Sequence, residues 1–412
     1  GYMDGGRSKR MCTFFKGRYE MKEISMELIS GYSDFDIGEY EQKRFFIRTE
    51  LDGHDFYSGL KINSDALFSN QDLAGSLFIN GIKNKGQRRY YLLDEADTLH
   101  DVTNASESRV GIRADLFYQF NDNAMTIEVN HDQSVLESSN FDGEMKVRRS
   151  WFSIQDEYEF SKKVSAEVQG RYDSNSAFSD EGSFGAGIML KGVKGWNIRQ
   201  FFSRDFNAPP LAEKFMDRPE LGLKSNESLS AETGYTWQMS LEKSFFEKWL
   251  AQIKTYIQKL QDGIIVSMDE EGFFYYDNAD SIKRQGVEVN LTWMPFEKTL
   301  LKAGAAFNDV KNEDTDETVS GRERLKYTFD LEQKLPQNCT FTMTGYYLWW
   351  NMEEIYHSKE RNFLFNAKYS WQPKKSFSLY GAVYNLFDTE LYWIDVYPNP
   401  ERSYEAGFEY QF

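Results

Sequence analysis

The chain has 412 residues, a mass of 48.2 kDa, a formal charge of −17 and a pI of about 4.9. So acidic a balance argues against a nucleic-acid protein, because a phosphate backbone needs a basic face. Aromatic residues make up 16% of it, yet the mean hydropathy is −0.64 and no apolar run reaches the ~18 residues of a transmembrane helix. Rings spread through a polar chain suit a membrane interface or a wall that stacks ligand. With 8 Pro, 29 Gly and no low-complexity linker, residues 1–412 read as one unit.

Apolar and polar residues alternate at every second position, the period of a strand. In chain order this predicts strands at 12–20 and 23–33, then an outer connection over 34–54 holding a strand-like piece at 41–51. Strands follow at 55–68, 72–82, 108–120, 124–138, 146–160, 163–176, 183–191 and 195–204. In 228–242, Leu229, Ala231, Tyr235, Trp237, Met239 and Leu241 alternate with Ser230, Glu232, Gly234, Thr236, Gln238 and Ser240. After 248–268, Val287, Val289, Leu291 and Trp293 alternate with Glu288, Asn290 and Thr292 in 281–295. The remaining strands are 297–311, 321–335, 338–352, 360–372, 375–388 and 401–412.

Short connections such as "SK" (161–162), "PQ" (336–337) and "PKK" (373–375) alternate with long ones at 83–107, 205–227, 269–280, 312–320, 353–359 and 389–400. That asymmetry is the anatomy of an all-β, transmembrane, antiparallel up-and-down β-barrel, with tight turns at the periplasmic end and long loops outside. About 19 strands are visible. In lipid every backbone polar group needs an internal partner, so strands persist there only in a closed sheet with an apolar outer face. The last strand, "ERSYEAGFEYQF", fits that demand and stops at the aromatic Phe412.

Four stretches resemble TonB-dependent outer-membrane receptors, transporters of siderophores, cobalamin and similar nutrients. The chain's end, "NLFDTELYWIDVYPNPERSYEAGFEYQF", carries the strand end Asn385, Leu386, Phe387 and Asp388 and a final strand closing on Phe412, with Glu401 where Gly is usual. "FFSRDFNAPPLAEKFMDRPELGLKSNESLSAETGYTW" is similar to the family's Phe-Arg-Ala-Pro box and the strand after it; Asn207 replaces Arg, Arg218 replaces Asn and Ser225-Asn226 replaces Pro. "YYDNADSIKRQGVEVNLTW" matches a strand entry through Asn278, Gly286, Val287 and Glu288, and "GRYDSNSAF" (170–178) a strand end of cobalamin-type receptors. The resemblance covers 110–412 well and 11–80 loosely. It implies a 22-stranded barrel in the outer membrane of a Gram-negative bacterium. Counted from the end, Cys12 opens the fourth strand, so the plug domain, the Ton box and three strands are expected to be missing. Coupling to a TonB-type energy complex is then expected only through that missing N-terminal part.

Candidate ligand contacts are rings and guanidinium groups in the outer loops. Arg88, Arg89, Tyr90 and Tyr91 in "KNKGQRRYY" would capture an anionic chelate, since guanidinium grips carboxylate in two-pronged fashion, or else meet lipopolysaccharide phosphate. Phe206 opens the loop 205–227, and "GFFYYDN" supplies Phe273, Phe274, Tyr275 and Tyr276. Trp350, beside Trp349, Tyr346 and Tyr347, is either interface girdle or stacking wall, and Tyr392, Trp393 and Tyr397 lie in the last outer loop. No cofactor and no metal site are expected, although the acidic "NEDTDET" (312–318) could take calcium. None of His54, His100, His131 and His357 lies where haem receptors of the family place a ligand. No spacing suggests a nucleophile with its base, so no enzyme is expected. Cys12 and Cys339 fall at opposite membrane edges and should be unpaired. The expected partners are outer-membrane lipid, lipopolysaccharide and a bulky metal chelate, a ferric siderophore or cobalamin. The alternatives are a plug-free passive porin and a soluble all-β protein; the second lacks any fixed repeat of ~40–50 residues.

Overall fold

The computed structural model describes residues 8–410 except 43–46, 68–69, 71, 93–97, 141–142, 210, 218–221, 320–321, 352–360, 390–391, 395–396 and 399–400. Its strands are β1 (Ser8–Met21), β2 (Ile24–Gln42), β3 (Ile47–Ser64), β4 (Leu73–Leu92), β5 (Leu99–Phe120), β6 (Asn123–Ser138) and β7 (Glu144–Ser161). Next come β8 (Val164–Asn175), β9 (Glu181–Val193), β10 (Trp196–Asn207), a short helix α1 (Leu211–Phe215), β11 (Glu232–Phe245), β12 (Trp249–Met268) and β13 (Phe274–Phe296). The chain continues through β14 (Thr299–Asn312), β15 (Arg322–Leu335), β16 (Cys339–Asn351), β17 (Arg361–Lys374) and β18 (Phe377–Tyr384). A small hairpin, β19 (Tyr392–Ile394) with β20 (Tyr397–Pro398), precedes the last strand β21 (Ser403–Tyr410).

Nineteen strands form one sheet in which each pairs antiparallel with its neighbour in sequence, and β18 pairs with β21. That is the expected up-and-down meander. Among the described residues no ladder joins β1 to β21, so these two are the edges of the sheet.

The tight turns show why the hairpins close where they do. Lys22, Asn121 and Lys194 take positive φ in two-residue turns, the twist such hairpins favour, and Gln337 and Asn338 take it in the three-residue turn between β15 and β16. The turn between β11 and β12 does the same with Phe246 and Glu247, at φ 51° and 58°. Glycine is forced where a ring crosses the sheet. A Cβ on Gly286 would lie 2.6 Å from the Tyr256 ring and 2.9 Å from the Phe307 carbonyl.

Three expectations about boundaries are corrected. The span 34–54 is no loop: β2 runs to Gln42 and β3 starts at Ile47, so the piece at 41–51 divides between two paired strands. The loop 83–107 is mostly strand, because β4 reaches Leu92 and β5 starts at Leu99. The loop 269–280 shrinks because β13 already begins at Phe274. In these hairpins the alternation breaks down, and part of their surface is packed, with Thr49, Tyr90 and Ala279 buried.

The outer face carries Val110, Ile112, Phe152, Ile154, Trp237, Ile257, Val289 and Leu291 at high exposure. Such a face would be untenable in water and is what lipid requires. Trp249 and Trp293 stack at 4.5 Å near the tight-turn end of β12 and β13. From Trp293 up to Lys283 is ~33 Å of strand at ~3.3 Å per residue, or ~25 Å along the membrane normal at a tilt of ~40°, one hydrocarbon thickness. The inner face carries ion pairs instead: Arg199 with Glu167 at 2.6 Å and Arg149 with Asp132 at 2.9 Å. A small apolar core lies on the inner side at the outer end, where Leu260, Ala279 and Ile282 are buried with Ile265 and Val310 packed against them. Cys12 and Cys339 are unpaired, as expected; Cys12 is exposed and Cys339 buried.

Candidate ligand site in the lumen

The inner faces of β4 to β8 and the end of β10 enclose a concavity of about 810 Å³, within the usual size of a ligand pocket. Trp151 on β7 stands in its wall. The Arg171 guanidinium lies 4.2 Å from the indole centroid and that of Arg113 lies 5.5 Å away. Carboxylates fix the guanidinium groups in turn. Arg171 donates to Asp173 at 2.6 Å, Arg113 to Asp115 at 2.6 Å and also to Glu128, and Arg149 to Asp132 at 3.0 Å. Charge is nearly balanced here, so the wall holds polar groups in fixed orientations around a ring. Phe178 and Phe206 line the same space, and Pro209 and Leu211 close its upper side.

A second concavity of about 670 Å³ lies on the inner faces of β10 to β15, lined among others by Arg199, Phe201, Lys254, Glu288, Asn290 and Lys326. In it Tyr256 reaches across Gly286 and donates from its hydroxyl to Asn308 Oδ1 at 3.0 Å. Gly286 thus makes room for the ring, Val287 faces lipid at 41% exposure and Glu288 points inward beside Asn290.

The loop from 208 to 231 is held in place by the barrel. Asn140 Nδ2 donates to the Asp217 carbonyl at 2.8 Å. Leu223 and Phe274 form a β-bridge; the Lys224 amide donates to the Phe274 carbonyl at 2.9 Å and the Phe274 amide to that of Gly222 at 2.8 Å. Lys224 Nζ pairs with Asp269 and Glu271, both at 2.7 Å, and sits 4.4 Å over the Phe273 ring. Those hydrogen bonds raise the pKa of Lys224, while the Lys224 ammonium and the Phe273 amide hold Asp269 below the ordinary carboxylate range. Asn226 Nδ2 donates to the Tyr276 carbonyl at 2.9 Å. Asn278 Oδ1 accepts from the Ser230 amide at 2.9 Å, and Asn278 Nδ2 donates to the Asp262 carbonyl at 2.6 Å.

The residues expected to touch ligand do not converge on one place. Phe206 lines the larger concavity. Arg88, Arg89, Tyr90 and Tyr91, expected in a loop, are in β4. There Arg89 pairs with Glu50 at 3.2 Å and Asp52 at 2.8 Å, Tyr91 donates to Glu50 at 3.2 Å, and Tyr90 is buried. Phe273 packs under Lys224, while Phe274, Tyr275 and Tyr276 are in β13. Trp350 is in β16, Tyr392 and Trp393 are in β19 and Tyr397 is in β20; their side chains lie outside the described residues, as does Phe412. The segment Asn385–Asp388 follows β18 as a turn, so the strand expected at 375–388 stops at Tyr384. Asn385 is buried and exchanges hydrogen bonds with Thr389 at 2.8 and 2.9 Å, the Leu386 amide donates to the Phe365 carbonyl at 2.7 Å, and Asp388 Oδ1 accepts from the Arg402 amide at 2.8 Å. Phe387 lies 5.5 Å from the Phe365 ring.

In the acidic segment 312–318, Glu313 takes Lys259 at 2.7 Å and the Ser281 hydroxyl at 2.7 Å. Trp151, Arg113, Arg149 and Arg171 were not singled out from sequence. Their signal was present: with Phe152 and Ile154 facing lipid on the strand expected at 146–160, Arg149 and Trp151 must face the lumen.

Residues 25–386 match the family model of the TonB dependent receptor-like β-barrel, and the chain belongs to that family of Gram-negative outer-membrane barrels. The copper transporter OprC shares the fold at a TM-score of 0.82 and 12% identity, over 99% of this chain and 72% of that one. The ferric enterobactin receptor PfeA of Pseudomonas aeruginosa does so at 0.69 and 12%, over 100% and 79%. The ferripyoverdine receptor of the same organism does so at 0.76 and 10%, over 99% and 66%. No curated protein matches the sequence.

Proposed function

We propose that this barrel takes up a bulky metal chelate, of the ferric siderophore or cobalamin class, through the lumen. The observation that carries this reading is the concavity of about 810 Å³ around Trp151, lined by an indole with oriented guanidinium and carboxylate groups. An aromatic face packs on the organic shell of a chelate, while oriented donors and acceptors read its polar edge. The structural neighbours named above as siderophore receptors support the class. Binding and passage need no covalent chemistry.

The test is quenching of intrinsic Trp fluorescence in the detergent-folded barrel by a panel of ferric siderophores and cobalamin. One chelate is expected to quench saturably, and Trp151→Phe to remove most of the signal. No saturable binding by any chelate, with steady ion conductance in planar bilayers, would overturn the proposal in favour of a passive porin.

A further inference from the structure

We infer that the second concavity, on the inner faces of β10 to β15, binds a small organic polyanion, a molecule carrying several carboxylate or phosphate groups. The two concavities share no lining residue, so this site stands apart from that of Trp151.

Four cations reach this wall without a counter-ion. Lys254 and Lys326 line the concavity itself. Arg284 lies two residues above Gly286 on β13, beside Tyr256, and is the neighbouring positive charge of Arg322 at the start of β15. None of the four makes an ion pair, hydrogen bond or ring contact among the described residues. Other inward arginines are committed: Arg199 pairs with Glu167 at 2.6 Å, and across the lumen Arg113, Arg149 and Arg171 are each held by carboxylates. In a chain of net charge −17, free cations brought together on one wall are a local exception. Their mutual repulsion weighs on the empty barrel and is relieved when an anion enters.

The carboxylates within reach are mostly taken by amide donors. Glu232, the acidic neighbour of Arg322, accepts from Asn207 Nδ2 at 3.0 Å and from the Ile264 amide at 3.0 Å. Glu288 accepts from Asn290 Nδ2 at 2.5 Å, although Lys254 is its direct register partner. Glu323 lines the same space and stands in no ion pair among the described residues.

The spacing of the cations sets the size of the anion. Lys254, Glu288, Ala306 and Lys326 stand abreast on β12 to β15. Strands are ~4.8 Å apart, so the two lysine stems start ~14 Å from each other, and the short Ala306 leaves a gap between them. Arg284 is four residues above Glu288, ~13 Å along the strand at ~3.3 Å per residue. Cations therefore bound the concavity of about 670 Å³ at its base and its upper edge, and the Tyr256–Asn308 pair offers hydroxyl and amide groups midway. A lone small ion would meet one edge; a molecule with anionic groups on several sides meets both. The guanidinium groups suit the upper edge, since each grips a carboxylate or phosphate in two-pronged fashion.

The test is isothermal titration calorimetry of the detergent-folded barrel with mellitate, a ring bearing carboxylates, with inositol hexakisphosphate, its phosphate counterpart, and with uncharged myo-inositol. At least one of the two polyanions is expected to bind saturably, one per barrel, and myo-inositol not to bind. Arg284→Gln/Arg322→Gln should weaken that binding by ~tenfold or more, and Lys254→Gln/Lys326→Gln by a similar factor. Lys162→Gln/Lys163→Gln, which removes two exposed positive charges from the turn between β7 and β8, should leave it unchanged. Binding of mellitate alone assigns the site to carboxylates, and binding of inositol hexakisphosphate alone to phosphates. In ligand-free detergent the Arg284→Gln/Arg322→Gln barrel should unfold at no lower temperature than wild type, because neither guanidinium has a polar contact to lose. No saturable binding of either polyanion, equal binding by wild type and the Arg284→Gln/Arg322→Gln barrel, or equal weakening by Lys162→Gln/Lys163→Gln would each overturn the inference.

Discussion

Replacing Asn278 by Ala tests whether the loop over the lumen is docked as one unit. The carboxamide accepts from the Ser230 amide at 2.9 Å and the Ser230 hydroxyl at 3.2 Å, and donates to the carbonyls of Asp262 at 2.6 Å and Ser230 at 3.2 Å. All four bonds meet solvent, so each belongs at the low end of the usual ~0.5–1.5 kcal/mol, and their joint loss costs ~2 kcal/mol. That corresponds to ~30-fold more frequent opening of the loop. The assay is hydrogen exchange by mass spectrometry. The informative amides are those of Lys224, Phe274 and Asn226, which bond to the carbonyls of Phe274, Gly222 and Glu213 and make no contact with the mutated side chain. Their exchange should speed up by ~30-fold, while amides of the β13–β14 ladder around Val289 and Ala305 stay protected. If only Ser230 speeds up, the loop is held piecewise and the cooperative docking argued above is wrong.

Other expectations follow from single contacts. Gly286→Ala should lower the detergent unfolding temperature, because a Cβ 2.9 Å from the Phe307 carbonyl cannot be relieved by a side chain alone; ~1–3 kcal/mol of overpacking is expected. Asp269 has a lowered pKa and Lys224 a raised one, so the pin between them is complete from above the ordinary aspartate value of ~3.9 to below the ordinary lysine value of ~10.4. It is lost as pH falls through the depressed Asp269 value or rises through the elevated Lys224 value. Exchange of the Lys224 amide, corrected for its intrinsic pH dependence, should therefore be flat from about pH 5 to 9 and increase outside that window. A maleimide should modify the exposed Cys12 of the folded barrel and spare the buried Cys339, and oxidant should not join them.

The membrane-embedded part of the fold was legible because lipid imposes a rule on every second residue. Val287, Val289, Leu291 and Trp293 could face only lipid, and Glu288 and Asn290 only the lumen, so the phase of β13 followed without any long-range information. Above the band the rule lapses. In 83–92 the stretch "KNKGQRRYY" shows no period, and only the cross-strand ladder from Arg88↔Thr103 to Lys83↔Ser108 makes it a strand with 99–107. The site was lost for the same reason. Rings and guanidinium groups were sought in those aperiodic stretches, where Arg89 turns out to be bound by Glu50 and Asp52. The better-placed groups, Arg149 and Trp151, sit on the polar face of a strand whose period was clear. On a barrel wall, the parity that identifies the lipid face also identifies the lumen face. A candidate ligand contact is therefore read more securely from the polar positions of a periodic strand than from the composition of a loop, because parity fixes a direction and composition does not. What parity cannot supply is which inward residues from different strands come level. The stacking of Arg171 and Arg113 on Trp151 depends on register across β5 to β8, which is set by turn geometry at the far end of each hairpin.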